Sequence, residues 1–271
     1  YDGLYDGDEI PLGPTFMKYP EGHSRWKRVR ADYYPGAPRN GGTVVEDLST
    51  EAGWRKQRAQ YFGNVKIIDD VVGVLMKALE ETGQMEETIF ACTSDHGEMC
   101  GDHGMWEKRA FYEESARVPF LLSVPWLNTE QKRIDGVFGQ VDLVPTLLDL
   151  AEQPLPDALE GKSIAGALTG DLDLKEDMAF MEWNGIGDRN LGSPEINLMA
   201  TLPRRTVISG DRWKLSLCAG DQGELFDLNT DLYEEKNLFD DPAHRDRIRE
   251  MAARIRLWQH ETGDTVPLPA V

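Results

Sequence analysis

The sequence predicts an α/β fold: an α/β sandwich followed by a small antiparallel sheet and a terminal helix. Three observations carry this. Between Glu51 and Gly83 apolar residues recur at three- and four-residue steps, the period of an amphipathic helix. Two short apolar runs of strand length follow, and they lead into a second helical stretch. From about residue 176 short β-rich segments take over and end in an amphipathic tail.

Taken in order, residues 1–45 are rich in Gly, Pro, Tyr and Asp (YDGLYDGDEIPLGP, YYPGAPRNGG), which predicts irregular, surface-running chain. The helix that follows places Val65, Ile68, Val72, Leu75 and Leu79 along one stripe, with Gly83 positioned to stop it. TIFACTSD (88–95) reads as a short buried strand and RVPFLLSVP (117–125) as another, separated by a charged loop. VDLVPTLLDLAEQ (141–153) is helical, with Asp142 and Pro145 near its start. MAFMEWN, RRTVISGDRWKLSLC and GELFDL read as strands, with Gly210-Asp211 as a hairpin turn. The tail from Asp241 sets Ile248, Met251, Ile255 and Trp258 on one helical face. The expected division is 1–175 for the α/β portion and 176–271 for an appended subdomain.

Composition narrows the function. A formal charge of −19 excludes a nucleic-acid or anionic-membrane surface, because phosphate binding needs a basic face. A small anionic substrate stays open, since a metal and a few local cations can reverse the field in one pocket. No run of about 18 apolar residues occurs, so no membrane span is expected. The three cysteines, Cys92, Cys100 and Cys218, lack CxxC or Cys/His zinc spacing and suggest no disulfide framework. This leans toward a reducing compartment, the cytoplasm ahead of a periplasmic, lysosomal or secreted location.

The chemistry concentrates in TSDHGEMCGDHGMWEK, residues 93–108, directly behind the first strand. Ligands of open α/β sheets bind beyond the carboxyl ends of strands, which is where Asp95 and His96 would stand. An adjacent carboxylate and imidazole can share one divalent cation. Gly97 would let the backbone turn away, and Lys108 returns a compact charge suited to an oxyanion. By themselves these residues also fit a solvated acidic loop.

The wider pattern is more specific. SDHGEMCGDHGMWEKRAFYEESARVPFLLSVP resembles the metal-binding segment of the type I sulfatases, in the alkaline-phosphatase-like superfamily. S-D-[HN]-G, a G-[DE]-H-G-like stretch, a lysine and Y-E-x-S-x-R-V-P occur there in that order. YDGLYDGDEIPLGPTF, EGKSIAGALTG and ELFDLNTDLYEEKNL extend the likeness over nearly the whole chain. The resemblance implies an alkaline-phosphatase-like α/β sandwich and a sulfuric ester hydrolase. It also implies one divalent metal, calcium foremost with manganese or magnesium as alternatives. Carried over by position, it makes Asp95 and His96 metal ligands and Lys108 the catalytic, sulfate-binding lysine. His103 becomes a candidate substrate-binding residue. Glu98 and Asp102 are expected to support the ligands or be solvated, Arg117 to anchor the loop, and Trp106 to wall the pocket or pack. His23 is expected at the surface.

The family's nucleophile lies in a C/S-x-P-S-R motif whose Cys or Ser becomes formylglycine, and no such motif occurs among these residues. The resemblance places it, with the other metal ligands, ahead of Tyr1. The expectation is therefore the C-terminal part of a longer enzyme, inactive by itself, whose partners are its N-terminal half and a small-molecule or saccharide sulfate ester. A homo-oligomer is also compatible. The competing readings are a phosphonate monoester hydrolase or phosphodiesterase of the same superfamily, and a catalytically inactive metal-binding relative. A Ser94 hydrolase has no G-x-S-x-G elbow to support it.

Overall fold

The computed structural model describes residues 1–37, 44–127, 130–186 and 193–271. Part of the glycine-rich stretch, residues 38–43, thus lies outside the described residues. The principal elements, in chain order, are α1 (Arg25–Tyr33), α2 (Glu51–Glu81), β1 (Phe90–Thr93), α3 (Glu113–Ala116), β2 (Phe120–Ser123), α4 (Leu143–Leu150) and α5 (Gly166–Thr169), then β3 (Met178–Trp183), α6 (Pro194–Thr201), β4 (Arg204–Ser209), β5 (Trp213–Leu217), β6 (Glu224–Asp227) and α7 (Arg245–Thr262). The fold is α/β, as the sequence predicts. Two compact units result: residues 1–85, 93–119 and 186–200 in one, and residues 86–92, 120–185 and 201–271 in the other. The boundary expected at 175/176 falls inside the second unit.

The first unit is built around Trp54, near the start of α2. Tyr34, Leu48, Met99, Met105, Trp106 and Tyr112 are buried with it in one cluster. The start of α2 is fixed by Thr50, whose hydroxyl accepts from the Gly53 N–H at 3.1 Å. Its end is fixed by Gly83 at φ +68°, as predicted.

Residues 1–45 are not merely irregular, however. They contain α1, whose Trp26, Lys27, Arg30 and Ala31 are buried. Lys27 Nζ lies 3.5 Å from the Tyr112 ring centroid, and Arg30 donates to the Trp106 carbonyl at 3.1 Å. Cations with buried stems serve here as core residues, so the apolar periodicity that would announce a helix is absent.

In the second unit β1 and β2 pair as a two-stranded sheet. Both alternate half-buried and exposed residues, which corrects the expectation of buried strands. Leu121 is 66% exposed, because a two-stranded sheet has one face left open among the described residues. The β3-β4-β5-β6 sheet is an antiparallel meander. Its Val207, Leu215, Leu217 and Leu225 pack with Ile248, Met251, Ala252 and Ile255 of α7. Trp258 continues the predicted stripe by stacking on Phe180, ring centroids 5.3 Å apart. The β4–β5 turn closes through Arg212 N–H to the Ser209 carbonyl at 2.8 Å. Its left-handed position belongs to Arg212 (φ +67°) rather than to Gly210. Gly210 is required for another reason: a Cβ there would lie 2.0 Å from the Lys175 carbonyl oxygen.

Candidate functional site

The loop between β1 and α3 carries the predicted residues. Asp95 is exposed and His96 half-buried, both just past the end of β1. Asp95 Oδ1 accepts from the His96 N–H at 2.9 Å, and that bond is the main reason its pKa lies below the usual carboxylate range. His96 Nδ1 lies 2.8 Å from the Gly97 carbonyl, so in the neutral ring Nδ1 carries the proton and Nε2 presents its lone pair.

His96 Nε2 stands 3.4 Å from Asp95 Oδ2. Two cis donors on one cation with bonds near 2.4 Å would be about 3.4 Å apart, so the pair has the spacing of two corners of one shell. Among the described residues no group of three or more His, Cys, Asp and Glu side chains is arranged to hold an ion. The pair fits part of a shell and no more, since calcium takes about six to eight oxygens.

Gly97 is held by its N–H, which donates to the Ser115 carbonyl at 2.8 Å. Its φ is not left-handed, so the sharp-turn argument fails. Close approach is what requires glycine: a Cβ would sit 2.0 Å from the Glu114 carbonyl oxygen.

Beyond Gly97 the loop folds back on itself. Met99 N–H donates to the Glu107 carbonyl at 3.1 Å and Gly101 N–H to Met105 at 2.9 Å. Five non-glycine residues in this stretch have left-handed backbones: Cys100, His103, Glu107, Arg109 and Phe111. Such conformations cost of order 1–3 kcal/mol each and cluster where function demands a fixed geometry. Two of them, Glu107 and Arg109, flank Lys108, which is half-buried.

Lys108 lies within electrostatic reach of Glu98. Burial pushes the Glu98 carboxyl up to about 7, against backbone hydrogen bonds from Cys100 and Glu107 and the pull of Lys108. Tyr61, on α2, feels Glu98 and Asp95 and is itself pushed up to about 12, chiefly by burial. Tyr61 thus lies within electrostatic reach of Asp95 and Glu98, and Glu98 within reach of Lys108. Tyr61 was missed in the sequence, where nothing separates it from other aromatics of the helix.

The remaining candidates are placed elsewhere. His103 is buried and stacks on Tyr112 with centroids 3.8 Å apart and planes 4° off parallel. His23, expected at the surface, is buried too, with Nδ1 2.8 Å from the Tyr112 hydroxyl. Asp102 is not solvated: it accepts from Thr15 Oγ1 at 2.8 Å and Arg58 Nη1 at 3.2 Å inside the unit. Trp106 packs in the core beside Trp54 and Tyr61. Arg117, expected to anchor the loop, has an exposed side chain, and its backbone N–H closes α3 on the Glu113 carbonyl. A sequence pattern cannot distinguish these interior polar groups from surface ones, because burial is decided by what packs over them.

Two family models match the chain: "Sulfatase" over residues 16–153 and "N-sulphoglucosamine sulphohydrolase, C-terminal" over residues 101–261. Among curated proteins, the multifunctional alkaline phosphatase superfamily protein PehA of Trinickia caryophylli is 28% identical, covering 97% of this chain and 52% of its own length. The arylsulfatase of Clostridium perfringens is 30% identical, over 75% of this chain and 40% of its own length. Among solved structures, the phosphonate monoester hydrolase SpPMH of Silicibacter pomeroyi superposes with a TM-score of 0.75 at 23% identity, over 97% of this chain and 52% of that one. The chain therefore spans about half, or less, of the length of these relatives.

Proposed function

The chain belongs to the type I sulfatase family of the alkaline-phosphatase-like superfamily, and from that premise we propose that it carries the sulfate-facing loop of a metal-dependent sulfuric ester hydrolase. The observation that carries the reading is the donor pair Asp95 Oδ2 and His96 Nε2, 3.4 Å apart, on the same folded loop as Lys108. A divalent cation bound there would polarise the sulfate oxygens. The chain's own residues hold and charge this part of the site. His96 is oriented by its Nδ1–Gly97 contact, and Asp95 stays ionised because its own loop backbone donates to it. Lys108 offsets charge that builds on the sulfuryl group and leaving oxygen, a fixed electrostatic contribution.

The pair supplies two ligands, and the sequence contains no C/S-x-P-S-R nucleophile. On this reading hydrolysis needs the formylglycine and the other ligands from further polypeptide, and residues 1–271 alone are inactive. The substrate class is a small-molecule or saccharide sulfate ester. A test is metal analysis of the complete gene product together with its Asp95→Asn variant. The variant should hold well under half the wild-type divalent metal while its circular dichroism is unchanged. Equal occupancy removes Asp95 from the site. Assay of aryl sulfate beside phosphonate monoester and phosphodiester substrates decides the ester, and a preference for either phosphorus substrate overturns the sulfatase assignment.

A further inference from the structure

The residues on either side of Lys108 hold a backbone that their own chemistry disfavours. Glu107 and Arg109 have φ of +66° and +85°, in the left-handed region that a Cβ resists. Contacts from outside the segment must offset the cost of keeping both there. Two such contacts come from one turn of α1. Arg30 Nη2 donates to the Trp106 carbonyl at 3.1 Å, and Trp26 Nε1 donates to the Arg109 carbonyl at 2.6 Å. The stretch 106–109 is therefore held at both ends, with Lys108 between them. Tyr34, just past α1, donates to the Glu107 carboxylate at 3.4 Å and itself accepts from Arg30. Trp26 and Arg30 are four residues apart, so they share one face of the helix. Both are 2% exposed. Their bonds lie inside the first unit, away from water, where a hydrogen bond holds geometry most firmly.

We infer that Trp26 and Arg30 are positioning residues for Lys108: they fix the backbone from which its ammonium meets the sulfuryl group. A buried indole and a buried guanidinium each need an acceptor somewhere. What goes beyond that need is where the acceptors lie, at the two ends of the segment that carries the sulfate-facing lysine. Lysine presents a point charge on a flexible four-carbon stem, so its aim depends on where its Cα is held. Stabilisation by a fixed charge tolerates little displacement, which makes that hold a matter of rate as well as of stability. Trp26 and Arg30 act through the lysine rather than on the ester. The inference rests on the proposed function and adds to it the helix that aims its cation.

The test is a double-mutant cycle in the complete gene product. Trp26→Phe removes the Nε1 donor and keeps an aromatic ring in the core. Arg30→Met removes the other donor and keeps the apolar stem, while Arg30→Lys restores a donor. Each of the first two should lower kcat for an aryl sulfate about tenfold and leave KM within about twofold. Arg30→Lys should recover most of the loss. In a Lys108→Ala background the same substitutions should change kcat by less than about twofold, because the group they aim is gone. Full turnover in Trp26→Phe and Arg30→Met overturns the inference, and so does a loss of equal size with and without Lys108. If Arg30→Met melts far below the wild type, Trp26→Phe alone carries the comparison. Trypsin cleavage after Lys108 and Arg109, mapped by mass spectrometry, reads the anchoring without reference to the ester. It should rise about tenfold in the variants while the other shared sites keep their wild-type rates. Unchanged cleavage overturns the inference. Faster cleavage at Lys108 in a product whose wild type leaves sulfate esters intact keeps the anchoring and sinks the hydrolase reading.

Discussion

Asp264→Asn should change the acid stability of the second unit in a way that can be worked out from its geometry. Asp264 follows the left-handed Gly263 that ends α7, and it grips Arg205 of β4 with both oxygens, Nε to Oδ2 at 2.8 Å and Nη2 to Oδ1 at 2.7 Å. The Arg205 side chain is 2% exposed and that of Asp264 12%. Gln259 and the Val266 N–H also donate to the carboxylate. The Arg205 hydrogen bonds are the main reason its pKa falls to about 2 from 3.8.

A folded-state pKa below the unfolded one stabilises fully above the unfolded value, and that stability is lost as pH falls through the folded value. The window is therefore about pH 4 to pH 2. The shift corresponds to about 2 kcal/mol, which solvent at the partly open carboxylate reduces to about 1–2 kcal/mol. Asparagine keeps the shape but not the charge, while Arg205 retains Asn184 Oδ1 at 2.8 Å and the Trp183 carbonyl at 3.2 Å. Urea unfolding followed by circular dichroism, at steps from pH 7 to pH 2, should show the variant weaker by that amount at pH 7. The two proteins should converge near pH 2. A stability difference that stays constant across the range, or is absent at pH 7, refutes the reasoning.

Three further outcomes are expected. Lys214→Met should cost about 3–5 kcal/mol by urea unfolding, since Lys214 and Glu234 form an ion pair at 3.0 Å with side chains 1% and 0% exposed, and the carboxylate would be left buried without its cation. Adding Glu234→Leu should restore most of that loss; a double variant as weak as the single one would contradict the account. Gly97→Ala should lower stability by about 1–3 kcal/mol, because its Cβ meets the Glu114 carbonyl oxygen and the loop must move. Unchanged unfolding would show that the close approach is not maintained in solution. Lys108→Ala in the complete gene product should cut sulfate-ester turnover about 10²- to 10³-fold with an unaltered melting temperature, and full turnover would remove Lys108 from the mechanism.

Local order made much of the fold legible in the sequence, though not α1, whose buried cations hide its period. The 3.6-residue stripes placed α2 and α7, alternation and turn residues placed β3 to β6, and Gly83 marked the end of α2, because periodicity and φ preferences act over a few neighbouring residues. The order S-D-H-G, G-D-H-G, Lys, Y-E-x-S-x-R-V-P likewise puts Asp95, His96 and Lys108 in one segment between two strands. Tertiary structure alone decided which polar groups lie inside. His23, His103 and Asp102 read as surface or site residues, and Lys27 and Arg30 fall in a stretch read as surface-running chain, yet all are buried, each made tolerable by partners distant in sequence. It also decided that Gly97 and Gly210 answer to an approaching carbonyl rather than to a turn. Burial is a property of what the rest of the chain brings near a residue, and no local window contains that information.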